Sequence, residues 1–318
     1  MSWHERMMRD VYGETLIELA RENPDLVVVG ADLMRSNGSA AFAAALPERA
    51  FNTGVAEANM IGLGAGLASV GKRPLCDTFA CFATRRVYDQ IAISVAYAGL
   101  GVVIVGTDPG VTAEMNGGTH MPFDDLALMR LLPGMTVLAP CDACELRAML
   151  RWLAGSRAPA YLQLTRRKLP AVFDEGYAFT PGHAETLAEG GDVTLVSTGF
   201  LTHETRRAVE ILAGEGIRAH HLHLGCLKPL DDEAILAAAR ETGAIVTCEN
   251  GYVAGGLGAA VAELLAEEEP VPMRRIGVRD RFGEVGTINY LMEKHRLRAQ
   301  DIAATAREVA AKKSVCAA

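Results

Sequence analysis

The chain has 318 residues, half of them hydrophobic and 22% charged, the profile of a globular protein long enough for two cores. Its formal charge is −8 and its isoelectric point about 5.6, which excludes a general surface for nucleic acid or anionic membrane but leaves room for a local basic site. The longest uncharged run, residues 91–107, is broken by Gly99 and Gly101, so it reads as a helix end, a turn and a core strand rather than a membrane span.

The first residues, MSWHERMMRD, are mixed and charged. No secretory signal is expected from them, and a cytoplasmic location follows. The seven cysteines then default to thiols in a reducing compartment. In chain order, a helix is expected over 10–22, a strand over 26–30 (LVVVG), a helix over 59–70 and an extended segment over 74–79. A helix over 85–98, strands over 102–107 and 136–139, a helix over 144–153 and a strand over 160–164 follow. Buried strands separated by helical crossovers indicate an α/β fold with a largely parallel sheet covered on both faces.

Residues 166–191, with several prolines and glycines, read as a linker with a hairpin-like stretch. A second series begins at Asp192: strand 192–199, helix 202–214, strand 217–222, helix 231–242, strand 243–248 and helix 257–268. Two domains are therefore expected, 1–180 and a smaller one at 181–318.

Several stretches admit two readings. GYVAGGLG, 251–258, is a phosphate cradle or a tight turn before a helix; it matches neither GxGxxG nor GxxxxGK[ST], which favours the turn. GLGAGLASVG, 62–71, suits close helix packing better than nucleotide binding. PCDACEL holds the only CxxC, Cys141 and Cys144, with no further zinc ligands at metal spacing; a helix start capped by Asp142 is favoured over a redox pair. His220, His221 and His223 alternate along a strand and would bind a metal only with ligands from elsewhere.

Two strand-end loops stand out, because ligands of α/β sheets bind at the carboxyl ends of strands. DPGVTAEMNGGTHMPFDD, 108–125, carries His120, and TRRKLP, 165–170, is either an anion site or a solvated basic linker. In FNTGVAEANM, 51–60, a lone carboxylate, Glu57, sits where an apolar helix begins. Burial of such a group requires a partner, from the chain or from a ligand.

Taken in order, GADLMRSN, GVAEANM, DTFACFATRRVYDQ, GGTHMPFDDLALMR, PGMTVLAPCDACE, LTRRKL, GGLGAAVAELL and RIGVRDRFGEVG resemble the transketolase family over nearly the whole chain. The resemblance is to its pyrimidine-binding and C-terminal domains alone; the half with the metal–diphosphate motif is absent. It implies the C-terminal subunit of a split transketolase, a transferase that moves a two-carbon ketol unit from a ketose or ketose phosphate to an aldose. It implies thiamine diphosphate shared with an N-terminal, diphosphate-binding subunit that also holds Mg²⁺ or Ca²⁺. An α2β2 heterotetramer acting on sugars or sugar phosphates is the implied assembly, with the single chain inactive.

Residue by residue, Glu57 matches the glutamate at N1′ of the aminopyrimidine, where it tunes the cofactor's own base. Phe79 and Phe82 match the aromatics that flank the pyrimidine. His120 matches the histidine that bonds substrate hydroxyls, and Arg9, Ser36 and Arg166 match the grip on the sugar phosphate. Asn116 stands where the family has an aspartate that selects donor stereochemistry. Asp108 stands, without gaps, where it has a phosphate-binding histidine; either the local alignment slips there or the substrate is not an ordinary sugar phosphate.

The resemblance also leaves alternatives: the β subunit of a 2-oxoacid dehydrogenase, a deoxyxylulose-phosphate-synthase-like acyloin-forming enzyme, or a non-catalytic scaffold subunit. Glu57 is expected to face no lysine or arginine as its main partner and to stand unpaired when no ligand is bound.

Overall fold

A computed structural model describes residues 6–316; the start of the charged N-terminal stretch lies outside them. Two sheets form the frame. The first contains β1 (Leu26–Gly30), β2 (Ala50–Asn52), β3 (Arg73–Phe79), β4 (Val103–Thr107), β5 (Thr136–Leu138) and β6 (Ala160–Leu164). The second contains β7 (Glu185–Ala188), β8 (Val193–Ser197), β9 (Ala219–His223), β11 (Ile245–Tyr252) and β12 (Met273–Val278). The remaining strand, β10 (Cys226–Lys228), follows β9 in sequence but pairs antiparallel with β5, which makes it an edge of the first sheet. The strand orders are β10-β5-β6-β4-β3-β1-β2 and β12-β11-β8-β9-β7. All pairings except β10–β5 and β7–β9 are parallel.

The inner strands are buried along their length, whether or not they are apolar throughout. β1, β3, β4, β6, β8 and β9 are buried at every position, as a sheet covered on both faces requires. The sequence reading misses the four strands that form the sheet edges, β2, β7, β10 and β12. They are short or half-exposed and carry no uniform apolar signal. The hairpin expected within 166–191 does not form; β7 instead pairs with β9, more than thirty residues further on.

Helix bounds differ where they matter. The helix expected at 59–70 is Glu57–Ser69, so Glu57 is its first residue. The helix expected at 10–22 starts earlier, at Met8. The helix expected at 85–98 is irregular: a 3₁₀ turn Arg85–Val87, then Tyr88–Gln90, then a π-helix Ile91–Tyr97. Asp142 caps Ala143–Gly155 as expected, accepting from the Glu145 N–H at 2.8 Å.

Buried polar groups decide the open readings. The amides of Leu257 and Gly258, at the start of helix Leu257–Glu268, donate to the Glu249 carboxylate, and a Cβ on Gly256 would strike that carboxylate. The Gly-rich turn therefore cradles an internal carboxylate, not a phosphate. Cys141 is a fully buried free thiol pushed far up by burial, which removes the accessible thiolate that a redox pair needs. His223 bonds Glu145 at 2.9 Å and Thr202 at 2.9 Å, and His221 bonds Ser197 at 2.8 Å. Cys141, Glu145 and His223 do lie together, but the Glu145 and His223 donors and acceptors are spent within this network, which ties the first half of the chain to the second sheet.

Complete burial pushes the Asp125 carboxyl up to about 6, against the pull of Gln163 and Tyr161, which both donate to it at 2.7 Å. A carboxyl with a raised folded-state value favours folding while protonated. That contribution is lost as pH rises from 3.8, where the unfolded chain ionises, to about 6. Asp125→Asn should therefore flatten the fall in unfolding free energy across this window by up to about 3 kcal/mol. Urea denaturation at stepped pH reads the slope, and an unchanged slope would refute the assignment.

Candidate active site

The carboxyl ends of β1, β3, β4 and β6 share one edge of the first sheet, and the candidate residues come from the loops that leave it. β3 ends at Phe79, and the short turn Ala80–Ala83 sets Phe82 beside it with ring centroids 6.1 Å apart. The loop after β4 returns His120 to the same place. Its ring lies edge-on, 5.2 Å from Phe82 and 6.0 Å from Phe79, with Nδ1 2.8 Å from Thr119 Oγ1. That pairing leaves Nε2 as the imidazole's remaining polar atom.

Glu57 is only 3% exposed, yet it opens a helix, where the dipole favours a negative charge. The expectation that it stands without a cationic partner is wrong. Arg86 Nη1 donates to Glu57 Oε1 at 2.7 Å, and the guanidinium lies 3.9 Å from the centroid of the Phe82 ring. The cause is desolvation: a carboxylate this buried needs a charge partner, and the irregular turn at Arg85–Val87 supplies one. Arg86 is 46% exposed, so its hold is one-sided: the carboxylate is fixed in the wall and the cation reaches in from solvent.

The anion-gripping candidates converge through the backbone. The N–H of Met8 donates to Arg167 O at 3.0 Å, which sets Arg9 against the Arg166–Arg167 segment. Gly38, two residues after Ser36, has φ +100 and lies so close to the Arg9 carbonyl oxygen that no Cβ would fit. Arg9 also makes a 3.3 Å contact with Asp10, and Ser36 is half-buried in the short helix Met34–Asn37. Asn116 is exposed, four residues before His120.

Asp108 pairs with Arg166 and is 2% exposed. Burial pushes its carboxyl above the ordinary value, opposed by Arg166. The structure sets this carboxylate against Arg166, a candidate for the anion grip, where it offsets part of that charge. The Arg166 guanidinium also lies 5.1 Å from the Phe79 ring centroid.

The sequence reading misses the residues that shape the His120 loop. Asn250, from β11, accepts the Val111 N–H at 2.9 Å and donates to Pro109 O at 2.9 Å. Glu114, at φ +47, accepts from the Ile288 N–H at 3.2 Å and pairs with Arg167 at 2.6 Å. Gly118 packs on Gly283 so closely that a Cβ would clash with its carbonyl oxygen. The second half of the chain thus holds the loop that presents His120. The only local signal for Glu114 and Asn250 is a polar residue in a strand-end segment. Arg86 stands in plain view inside ATRRVYDQ, without a geometry to single it out.

Known proteins are similar to this chain over most of its length. The family model of the transketolase pyrimidine-binding domain matches residues 4–172, and that of the transketolase C-terminal domain matches residues 182–302. The 6-deoxy-6-sulfo-D-fructose transketolase subunit of Clostridium sp. (strain MSTE9) is 49% identical over 98% of this chain and 96% of its own length. An apulose-4-phosphate transketolase subunit of Phocaeicola vulgatus is 36% identical over 94% of this chain and 96% of its own. A solved split-gene transketolase, described as an inactive β4 tetramer, superposes with a TM-score of 0.91 at 44% identity, covering 97% of this chain and 99% of that one. The chain belongs to the transketolase family, as a subunit of the split type that carries the pyrimidine-binding and C-terminal domains together.

Proposed function

We propose that this chain completes, with a separate diphosphate-binding subunit, an active site that transfers a two-carbon ketol unit from a ketose to an aldose. The family implies thiamine diphosphate, and the site fits it. The observation that carries the reading is the Glu57–Arg86–Phe82 arrangement: a flat, cationic N–H donor rests on a phenyl ring and meets a buried carboxylate at one edge. An aminopyrimidine ring presents the same shape and the same N–H edge when protonated.

When bound, the cofactor supplies the carbon nucleophile and the electron sink that break and form the bond beside the ketone. The chain's residues do the rest in this reading. Glu57 holds a proton at the ring nitrogen it faces. Phe79 and Phe82 pack the ring and exclude water. His120 offers Nε2 to a substrate hydroxyl. Arg166, Arg9 and Ser36 take the terminal anion of the sugar, and Asn116 lies at the donor end.

The diphosphate and its Mg²⁺ or Ca²⁺ fall to the partner subunit, and an α2β2 assembly follows. The solved relative described as an inactive β4 tetramer supports the need for a partner. Ile93 and Tyr97, 59% and 88% exposed on the π-helical segment that packs against the Glu57 helix, suit a face covered in that assembly. Among the described residues no helix is long and apolar enough to cross a membrane. The buried free thiols of Cys76, Cys81, Cys141, Cys226 and Cys248 suit a cytoplasmic protein. We also assign residues 1–180 to the pyrimidine-binding domain and 181–318 to the C-terminal domain.

Charge bears on the substrate. Asp108 offsets part of the Arg166 charge, so the site favours a terminal monoanion over a phosphate of charge about −1.5 to −2. A sulfonate is such a monoanion, and the sulfofructose-acting relative carries one on its named substrate. The test is reconstitution with the diphosphate-binding subunit, offering 6-deoxy-6-sulfofructose and fructose 6-phosphate as donors. Ketol transfer from either supports the assignment, with the sulfonate preferred. Pyruvate decarboxylation without ketol transfer would overturn it in favour of an oxoacid or acyloin-forming enzyme.

A further inference from the structure

A second concave site lies outside the Glu57 cluster, bordered by β12 and the helix Ala299–Cys316 in the second half of the chain. It is a cavity of about 650 Å³, within the range of small-molecule sites. Five arginines line it, Arg274, Arg275, Arg279, Arg281 and Arg296, facing two carboxylates, Asp301 and Glu308. This is a concentrated positive field in a chain whose net charge is −8.

Arg86, Arg130, Arg166 and Arg167 each have a carboxylate partner. Among the described residues none of the five cavity arginines has one. Arg73, Arg157 and Arg206 also lack a carboxylate ion pair, but they lie elsewhere in the fold, whereas the cavity gathers five such arginines. Arg275 and Arg279 each place one N–H on a backbone carbonyl, at 2.8 and 2.9 Å, which aims the guanidinium and leaves the rest of its fork available. Asp301 is already engaged by the Arg298 N–H. The wall offers little to an apolar ligand, with Ile276 and Ala304 its main hydrocarbon surface.

Two further features lie at this cavity. His295 lines the cavity with a buried Nε2 that has no hydrogen-bond partner; burial, and then the charge of Lys294, push its imidazole below the ordinary value. Among the described residues, five other than glycine have left-handed φ, and they fall in two groups. Asp32, Asp108 and Glu114 are in the strand-end loops of the candidate active site. Asp280 (φ 39) and Arg296 (φ 55) are at this cavity, the first between Arg279 and Arg281. Arg296 ends the helix Ile288–Lys294, with the Leu297 N–H on Met292 O at 2.9 Å, so its φ is that of a helix C-terminus, which turns its side chain to the cavity rim.

We propose that this cavity binds a small polyphosphate, a molecule with two or three consecutive phosphates such as a nucleoside triphosphate or free tripolyphosphate. One phosphate monoester occupies two or three guanidinium forks, whereas five unpaired arginines around one cavity match a chain of phosphates. The proposal is independent of the thiamine diphosphate reading, since no residue is shared and no partner subunit is needed.

The experiment is calorimetric titration of tripolyphosphate, and separately of ATP, into the purified full chain at about 0.15 M salt, where weak surface pairing is screened. One site per chain is expected, weakened at least about tenfold by Arg281→Ala with Arg296→Ala, both exposed and with no ion pair to lose. Arg281→Glu should abolish it, and circular dichroism checks that each variant is folded. Tighter binding of ATP than of tripolyphosphate identifies a nucleotide as the ligand; equal affinity identifies the phosphate chain itself. Absence of binding, binding that the double variant leaves intact, or equal displacement by sulfate at matched ionic strength would each overturn the proposal.

Discussion

Glu57→Gln should lower ketol transfer by the reconstituted complex on the order of 10²–10⁴-fold, the usual span for a positioned proton-handling group. The amide keeps the shape of the carboxylate and still accepts a hydrogen bond from Arg86, whose present bond is 2.7 Å. It needs no charge partner at a site only 3% exposed, so the fold should survive. What the amide lacks is the capacity to hold a proton between itself and a ring nitrogen. The measurements are transfer rate, cofactor affinity by fluorescence titration, and far-ultraviolet circular dichroism. A variant that is folded, binds cofactor and turns over at the parent rate would end the catalytic reading and favour the scaffold alternative. A variant that unfolds would instead make the Glu57–Arg86 pair structural, which the half-exposed Arg86 argues against.

Arg166→Gln should raise KM for anionic donors about 10–100-fold and leave neutral ketoses nearly unaffected, the loss of one charge-assisted contact. The companion variant, Asp108→Asn, tests the charge argument. It frees Arg166 from a carboxylate that is 2% exposed and paired to it. The site then gains net positive charge, and kcat/KM should shift toward the 6-phosphate donor relative to the 6-sulfonate. Steady-state kinetics with both donors reads the ratio. A ratio unchanged by Asp108→Asn would show that the carboxylate does not reach the substrate's terminal anion.

Much of the frame is legible because the inner strands announce themselves. LVVVG at β1 and AYLQL at β6 are mostly apolar and bounded by turns, as suits strands buried on both faces; β9, AHHLH, is equally buried without that signal. Helices set off by glycines and carrying an apolar face, Thr202–Gly214 and Leu257–Glu268, match their expected limits. The sheet edges are not legible. β10 is three residues long and belongs to a sheet built more than sixty residues earlier, and no local pattern encodes that pairing. The irregular helix at 85–97 reads as regular because its apolar spacing is ordinary; the π-helical turns are a tertiary outcome.

For the site, the ordered series of motifs is enough to identify the family, and with it Glu57, Phe79, Phe82 and His120 as residues to examine. It also exposes the two departures, Asp108 and Asn116, since these are identities at known positions. What each group faces comes from the packing. Folding gives Glu57 an arginine, because a buried carboxylate takes the nearest cation that can reach it. It spends Asp108 on Arg166, and it hangs the His120 loop on Asn250, Ile288 and Gly283 from distant parts of the chain. Residue type records which chemistry is available; pairing and charge balance depend on distances that only the packed chain sets.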